Sequence, residues 1–203
     1  MGLCYIVGAG EVPERIYPMP GDLLIAADGG LRHLEAQGLS PDLTVGDFDS
    51  YGCVPEGDNI VRLPVEKDET DTAVAIREGF RRGYTDFCIY GGVGGREDHT
   101  FANYALLVYA RERGHKMTLV GRSSDTFAMI NESVTLSGEP LSHLSLFAFG
   151  GDARGVSVRG AEYEAEGVTL TPSFPLGVSN RFSGGEVLVE VKDGKLLVMT
   201  EKL

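Results

Sequence analysis

Several short segments carry residue types suited to binding a phosphate together with a hard cation. In Gly46-Asp47-Phe48-Asp49-Ser50, two carboxylates flank one residue, so an irregular loop can turn both toward a single divalent ion. A polar turn explains the pair equally well. Lys67, Asp68, Thr70 and Asp71 precede an apolar periodic run, where Thr70 suits an N-cap and Asp71 the first helical turn. Helix capping alone accounts for them. In Gly91-Gly92-Val93-Gly94-Gly95-Arg96-Glu97-Asp98-His99-Thr100, side-chain-free amides lie between an apolar run and a helix expected near Phe101, a setting that suits phosphate. Arg96 would fork onto phosphate oxygens, Asp98 would cap the helix or meet the metal, and His99 would cap, pack or act in catalysis. Asp28, Gly29 and Gly30 end another apolar run. The glycine spacing matches neither the dinucleotide fingerprint nor the P-loop.

These residues need elements to aim them. Residues 3–7, 23–27, 43–45, 60–63, 87–90 and 117–120 are short apolar runs bounded by glycine, proline or aspartate, and read as buried strands. Helical patterns at 31–37, 70–82 and 101–113 lie between them, the first and last ended by Gly38 and Gly114. The alternation predicts a mostly parallel, Rossmann-like α/β layer over residues 1–122. A parallel sheet would gather the acidic and glycine-rich segments along its carboxyl edge, where ligands of open α/β folds collect.

Beyond residue 122 the texture becomes short strands at 127–130, 134–136, 144–149, 156–158, 168–170, 187–191 and 196–199, with no helix of ordinary length. This predicts a smaller all-β, sandwich-like domain over 123–203. Asp193-Gly194 between the last two runs predicts a hairpin.

Composition narrows the function classes. With 42% hydrophobic and 24% charged residues in 203, the chain can bury a sizeable core. A net charge of -12 with scattered Lys and Arg disfavours a nucleic-acid partner, although a cation held by carboxylates still admits an acidic nucleotide. Cys4, Cys53 and Cys88 have no metal or redox spacing and read as reduced thiols of a cytoplasmic protein. The sequence carries no targeting, lipidation or membrane-spanning signal.

Taken in order, the segments AADGG, GDFDS, EKDETDTAVAI and GGVGGREDHTFANYALL resemble the motif set of the bacterial thiamine pyrophosphokinases, and GVTLTPSFPLGVSNRF is similar to that family's substrate motif. The resemblance implies transfer of pyrophosphate from ATP to the thiamine hydroxyl, releasing AMP, by a homodimer with sites between subunits. It implies Mg2+ and phosphate carboxylates at Asp47, Asp49 and Asp71, a catalytic pair at Arg96 and Asp98, and thiamine contacts at Ser179 and Asn180. The expected binding set also includes Asp28, Gly29, Ser50, Lys67, Asp68, Thr70, Gly92, Gly94 and His99. Asp71 or Asp98 would accept the hydroxyl proton. Eukaryotic members place a tryptophan near the thiamine ring; this chain has none and offers Phe174 or Phe182. Two rival readings are an aspartyl-phosphate phosphatase using Asp47 and a non-enzymatic nucleotide or thiamine sensor.

Overall fold

The computed structural model describes residues 2–47, 59–64 and 68–202, so Asp49, Ser50 and Lys67 lie outside the described residues. By contact the chain divides into Met1–Leu106 with Gly114–Arg122, and Leu107–Arg113 with Ser123–Leu203.

The first unit is built on strands β1 (Cys4–Val7), β2 (Leu23–Ala27), β3 (Leu43–Gly46), β4 (Ile60–Arg62), β5 (Asp86–Tyr90) and β6 (Lys116–Val120). They lie in the order β4-β3-β2-β1-β5-β6 with every pair parallel. All five residues of β2 are buried, as expected where a parallel strand is covered on both faces. Helix α1 (Gly30–Ala36) packs on β1 and β2, where Leu31 and Leu34 join Val7, Leu24 and Ala26 in one core. Helix α2 (Asp71–Arg81) packs on β1, β2 and β3 through a buried stripe of Val74, Ala75, Ile76 and Gly79. Gly79 permits this approach, because a Cβ there would lie 2.4 Å from the Phe87 ring.

Helix α3 spans Glu97–Arg111, beginning four residues before the expected start at Phe101. Glu97 and Asp98 in the first turn favour the positive helix end, and Thr100 N–H donates to the Arg96 carbonyl at 3.0 Å. Asp98 and His99 are therefore helical residues rather than parts of the preceding turn. The strand order extends from β1 to β4 on one side and from β5 to β6 on the other, all strands parallel, which places the topological switch point between β1 and β5.

The second unit holds two antiparallel layers. One has β12 (Asn180–Arg181), β9 (His143–Ala148), β14 (Lys195–Glu201) and β7 (Ser124–Ile130) in that order; the other has β11 (Ala165–Leu170), β10 (Ala153–Arg159), β13 (Glu186–Glu190) and β8 (Ser133–Ser137). Their inner faces share one core that includes Met129, Leu144, Val156, Val187, Val189, Leu196 and Val198, the sandwich expected.

The expected Asp193-Gly194 hairpin does not form. Strand β13 pairs with β10 and β8, whereas β14 pairs with β7 and β9. Val187, Val189, Leu196 and Val198 all bury their side chains in the core between the layers, so the two strands belong to opposite sheets. Gly194 turns the corner at φ 119°, its N–H donates to Asn131 Oδ1 at 2.7 Å, and a Cβ there would lie 2.6 Å from the Asp152 carbonyl oxygen.

Cys4 and Cys88 sit one register step apart on adjacent strands, so their side chains face opposite sides of the sheet and remain thiols. Burial pushes the Cys4 thiol up to about 12, leaving it unreactive. No helix among the described residues is long and apolar enough to cross a membrane.

Candidate functional site

The switch point opens into a cleft of about 360 Å³, lined by the ends of β1, β2 and β5 and the starts of α2 and α3. Its floor is a backbone zipper. Gly8 N–H donates to Tyr90 C=O at 2.8 Å, Gly10 N–H to Gly91 C=O at 2.8 Å and Glu11 N–H to Val93 C=O at 2.7 Å. These bonds carry the β1–β5 pairing past the strand ends. A Cβ on Gly10 would lie 2.3 Å from the Val93 carbonyl oxygen, and one on Gly91, at φ 65°, would lie 2.2 Å from that of Gly8. Close backbone approach thus explains these glycines without a phosphate.

The rest of the glycine turn is held from α3. Buried Asn103 donates through Nδ2 to the Gly92 carbonyl at 2.7 Å. Gly92 and Gly95 line the cleft. Gly94, expected with them, sits at φ 76° against Glu11, where a Cβ would lie 2.7 Å from Glu11 Cβ.

Asp28 and Asp71 face this cleft from two elements. Asp28 follows β2 at φ 50°, a conformation uncommon for a residue with a side chain, and its N–H donates to Val45 C=O at 2.8 Å. Gly29 comes close to Ala9, with a Cβ there only 2.9 Å from the Ala9 Cβ. Asp71 opens α2, and its place is set by Thr70, whose Oγ1 accepts Ala73 N–H at 3.2 Å. Thr70 also lines the cleft, whereas Asp68 is exposed two residues before it. Asp47 follows β3 by one residue at the same sheet edge.

Arg96 and His99 complete the wall. Arg96 makes a two-point contact with Asp98, Nε to Oδ1 at 3.1 Å and Nη2 to Oδ2 at 2.6 Å, and His99 N–H donates to Asp98 Oδ1 at 2.9 Å. The Arg96 hydrogen bonds hold the Asp98 carboxyl below the ordinary carboxylate range and raise Arg96 in return. Both side chains are largely exposed, so this pair orients groups more than it stabilises the fold.

Oxygen donors of the kind magnesium prefers gather at this edge in Asp28, Asp47 and Asp71. Among the described residues, however, no group of three or more His, Cys, Asp or Glu side chains stands ready to hold a metal. The expected set of Asp47, Asp49 and Asp71 includes one residue outside the description.

In the second unit, a largely apolar cavity of about 270 Å³ lies beside Asn180 and is lined by Leu146, Tyr163, Glu164, Val168, Leu176 and Val178, among others. Ser179, at φ 62°, donates its N–H to Ser145 Oγ at 3.0 Å. Phe182 is 1% exposed, packed in the core under Gly138, so it offers no face to a ligand. Phe174 is exposed. Tyr163, Ala9, Gly10 and Asn103 escaped the sequence reading. Val7-Gly8-Ala9-Gly10 was a detectable strand-to-glycine signal, but nothing local marks Tyr163 or Asn103.

A doubly wound α/β unit with a carboxylate- and arginine-lined cleft at its switch point, followed by a β-sandwich with its own cavity, defines a two-unit protein of the phosphate-handling α/β class. The chain belongs to the thiamin pyrophosphokinase family, whose catalytic domain matches residues 20–119 and whose vitamin B1 binding domain matches residues 133–196. It is similar in structure to the thiamine pyrophosphokinase from Bacillus subtilis, at 22% identity and TM-score 0.89, covering 98% of this chain and 99% of that one. The thiamin pyrophosphokinase family protein from Enterococcus faecalis is 25% identical at TM-score 0.84, covering 98% and 99%. The thiamin pyrophosphokinase from Candida albicans is 16% identical at TM-score 0.77, covering 98% of this chain and 89% of that one. No curated protein matches the sequence. The activity is that of the family, and neither the phosphatase nor the sensor reading is favoured.

Proposed function

We propose that this enzyme takes its pyrophosphoryl group from ATP, with Mg2+ at the switch-point cleft. The observation that carries the reading is the convergence of Asp28, Asp71 and Arg96 on one cleft floored by the two glycine turns. The thiamine hydroxyl attacks the β-phosphorus in line. A new oxygen–phosphorus bond forms, the bond from the β-phosphorus to the bridging oxygen breaks, and AMP leaves with that oxygen. Catalysis of this kind rests on positioning and charge neutralisation rather than a protein nucleophile.

Asp47, Asp49 and Asp71 would hold magnesium, which when bound offsets phosphate charge. Arg96, kept in orientation by Asp98, meets the transferring group through its guanidinium fork. Asp71 or Asp98 would accept the hydroxyl proton, Asp98 from a carboxyl that its Arg96 hydrogen bonds hold below the ordinary range. The same reading makes the protein a cytoplasmic homodimer; the family resemblance supports this, and sedimentation tests it.

Incubation with thiamine, ATP and magnesium, followed by chromatography, tests donor, acceptor and metal together. Equal yields of thiamine diphosphate and AMP, abolished by a chelator, are expected. Thiamine monophosphate with ADP would overturn the transfer mechanism.

A further inference from the structure

Glu11 joins three strand ends of the first unit. Its N–H donates to the Val93 carbonyl at 2.7 Å, which ties the chain beyond β1 to the glycine turn after β5. Its side chain lies against Gly94, where a Cβ would sit 2.7 Å from Glu11 Cβ and 3.2 Å from Oε2. Its Oε1 accepts two N–H groups of Arg122, from Nε at 2.5 Å and from Nη2. Arg122 stands two residues beyond the end of β6, so the contact bridges 111 positions of sequence. Glu11, Gly94 and Arg122 lie outside the lining of the cleft, whereas Gly95 and Arg96, the next two residues after Gly94, belong to it.

Exposure decides what this ion pair can do. The Arg122 side chain is 75% exposed and that of Glu11 34%, and a pair so open to water adds little to stability. It does fix a direction. With its carboxylate drawn toward the end of β6, Glu11 holds its stem against Gly94, whose φ of 76° starts the turn toward Arg96. A weak contact suffices for such a role, because a displacement of about 1 Å at a reacting group costs on the order of 10²-fold in rate.

We propose that Glu11 is a positioning residue which, latched by Arg122, fixes the Gly94-Gly95-Arg96 turn and so sets the Arg96 guanidinium against the transferring group. Asp98 orients that guanidinium from the helix side, and the latch fixes the backbone that carries it. The proposal rests on the pyrophosphoryl-transfer reading of the cleft. It adds two residues that lie outside every segment carrying the family resemblance.

Steady-state kinetics and thermal melting of Glu11→Gln, Arg122→Gln and the double variant test the latch. Each single variant should lower kcat about tenfold, keep KM for ATP and for thiamine within about twofold, and hardly move the thermal midpoint. The double variant should be no slower than the poorer single one, because both changes remove one contact. An unchanged kcat in either single variant would overturn the proposal, as would multiplied losses approaching about a hundredfold. A kcat loss that tracks a fall in thermal midpoint would mark a merely structural role and also overturn it. A nucleotide KM that falls in Glu11→Gln and rises in Arg122→Gln would instead make Arg122 a phosphate contact restrained by Glu11.

Should the wild type form no thiamine diphosphate, the transfer reading fails, and amide hydrogen exchange decides the latch by itself. The Gly10 and Glu11 N–H groups bond to carbonyls of the glycine turn, so their exchange should quicken about two- to fivefold in Arg122→Gln. Equal exchange in variant and wild type would show that Arg122 holds nothing in place and overturn the proposal.

Discussion

Arg96 and Asp98 meet through two parallel hydrogen bonds across the start of α3, Nη2 to Oδ2 at 2.6 Å and Nε to Oδ1 at 3.1 Å. The planar fork fixes where the guanidinium points into the cleft, an outcome a flexible ammonium does not reproduce. Arg96→Ala should lower kcat by roughly 10²- to 10³-fold, with Arg96→Lys recovering little of it. The thermal midpoint should hardly move, because both side chains are largely exposed. A lysine variant of near wild-type kcat would show that charge alone suffices.

The two candidate proton acceptors separate by environment. Arg96 holds Asp98 ionised at pH values where an ordinary aspartate begins to protonate. Asp71→Asn and Asp98→Asn should each lower kcat, and the variant that also loses the acid limb of the kcat profile identifies the proton acceptor. Metal content measured in parallel separates proton transfer from metal loss. An acid limb that persists in both variants would exclude both residues as the acceptor.

Glycine positions in the cleft floor are set by backbone contact. Gly91→Ala places a methyl group 2.2 Å from the Gly8 carbonyl oxygen and in a left-handed conformation, and Gly10→Ala meets the Val93 carbonyl oxygen at 2.3 Å. Each should cost roughly 1–3 kcal/mol or more in chemical denaturation. Gly185→Ala, whose added methyl meets nothing within 4 Å, should be close to neutral.

Thr70 closes the start of α2 with a single side-chain bond to Ala73 N–H. Thr70→Ala should lose about 1 kcal/mol of stability and loosen Asp71, raising KM for the metal–nucleotide complex, while Thr70→Ser keeps both. Equal stability of the alanine variant would show that water replaces the cap.

Glu201 accepts both the backbone N–H of His143, at 2.8 Å, and its ring Nδ1. The backbone bond first and the ring second hold its carboxyl below the ordinary glutamate value of 4.5. A depressed carboxylate contributes stability above its unfolded pKa and loses it as pH falls through the folded one. The gap in melting temperature between wild type and Glu201→Gln should persist at neutral pH and close as pH drops below 4.5.

Much of the architecture was legible because buried parallel strands are written as continuous apolar runs. Leu23-Leu24-Ile25-Ala26-Ala27 has no polar residue to misplace, and β2 occupies that run. Thr70 followed by Asp71 before an apolar stripe carries a capping signal with one physical meaning, and Thr70 caps α2. The same local logic misled at Asp193-Gly194. A turn dipeptide between two alternating strands fits a hairpin and a corner between sheets equally, because alternation shows that one face is buried but not which neighbour buries it. The start of α3 is masked in the sequence because the glycine-rich run reads as loop through Asp98, although Glu97 already stabilises the helix end.

What the sequence determined by itself was therefore the type and order of the elements and the family motifs they carry, since hydrophobic period and capping chemistry act over a few residues. The tertiary structure decided which residues share a site. Gly10 with Gly91, Asn103 with Gly92 and Asn180 with Tyr163 are pairings between separate segments, and in each at least one partner is a backbone atom that looks alike at every position along the chain. Burial likewise removed Phe182 from reach and left Tyr163 on the cavity wall, a distinction between two aromatic residues that only packing creates.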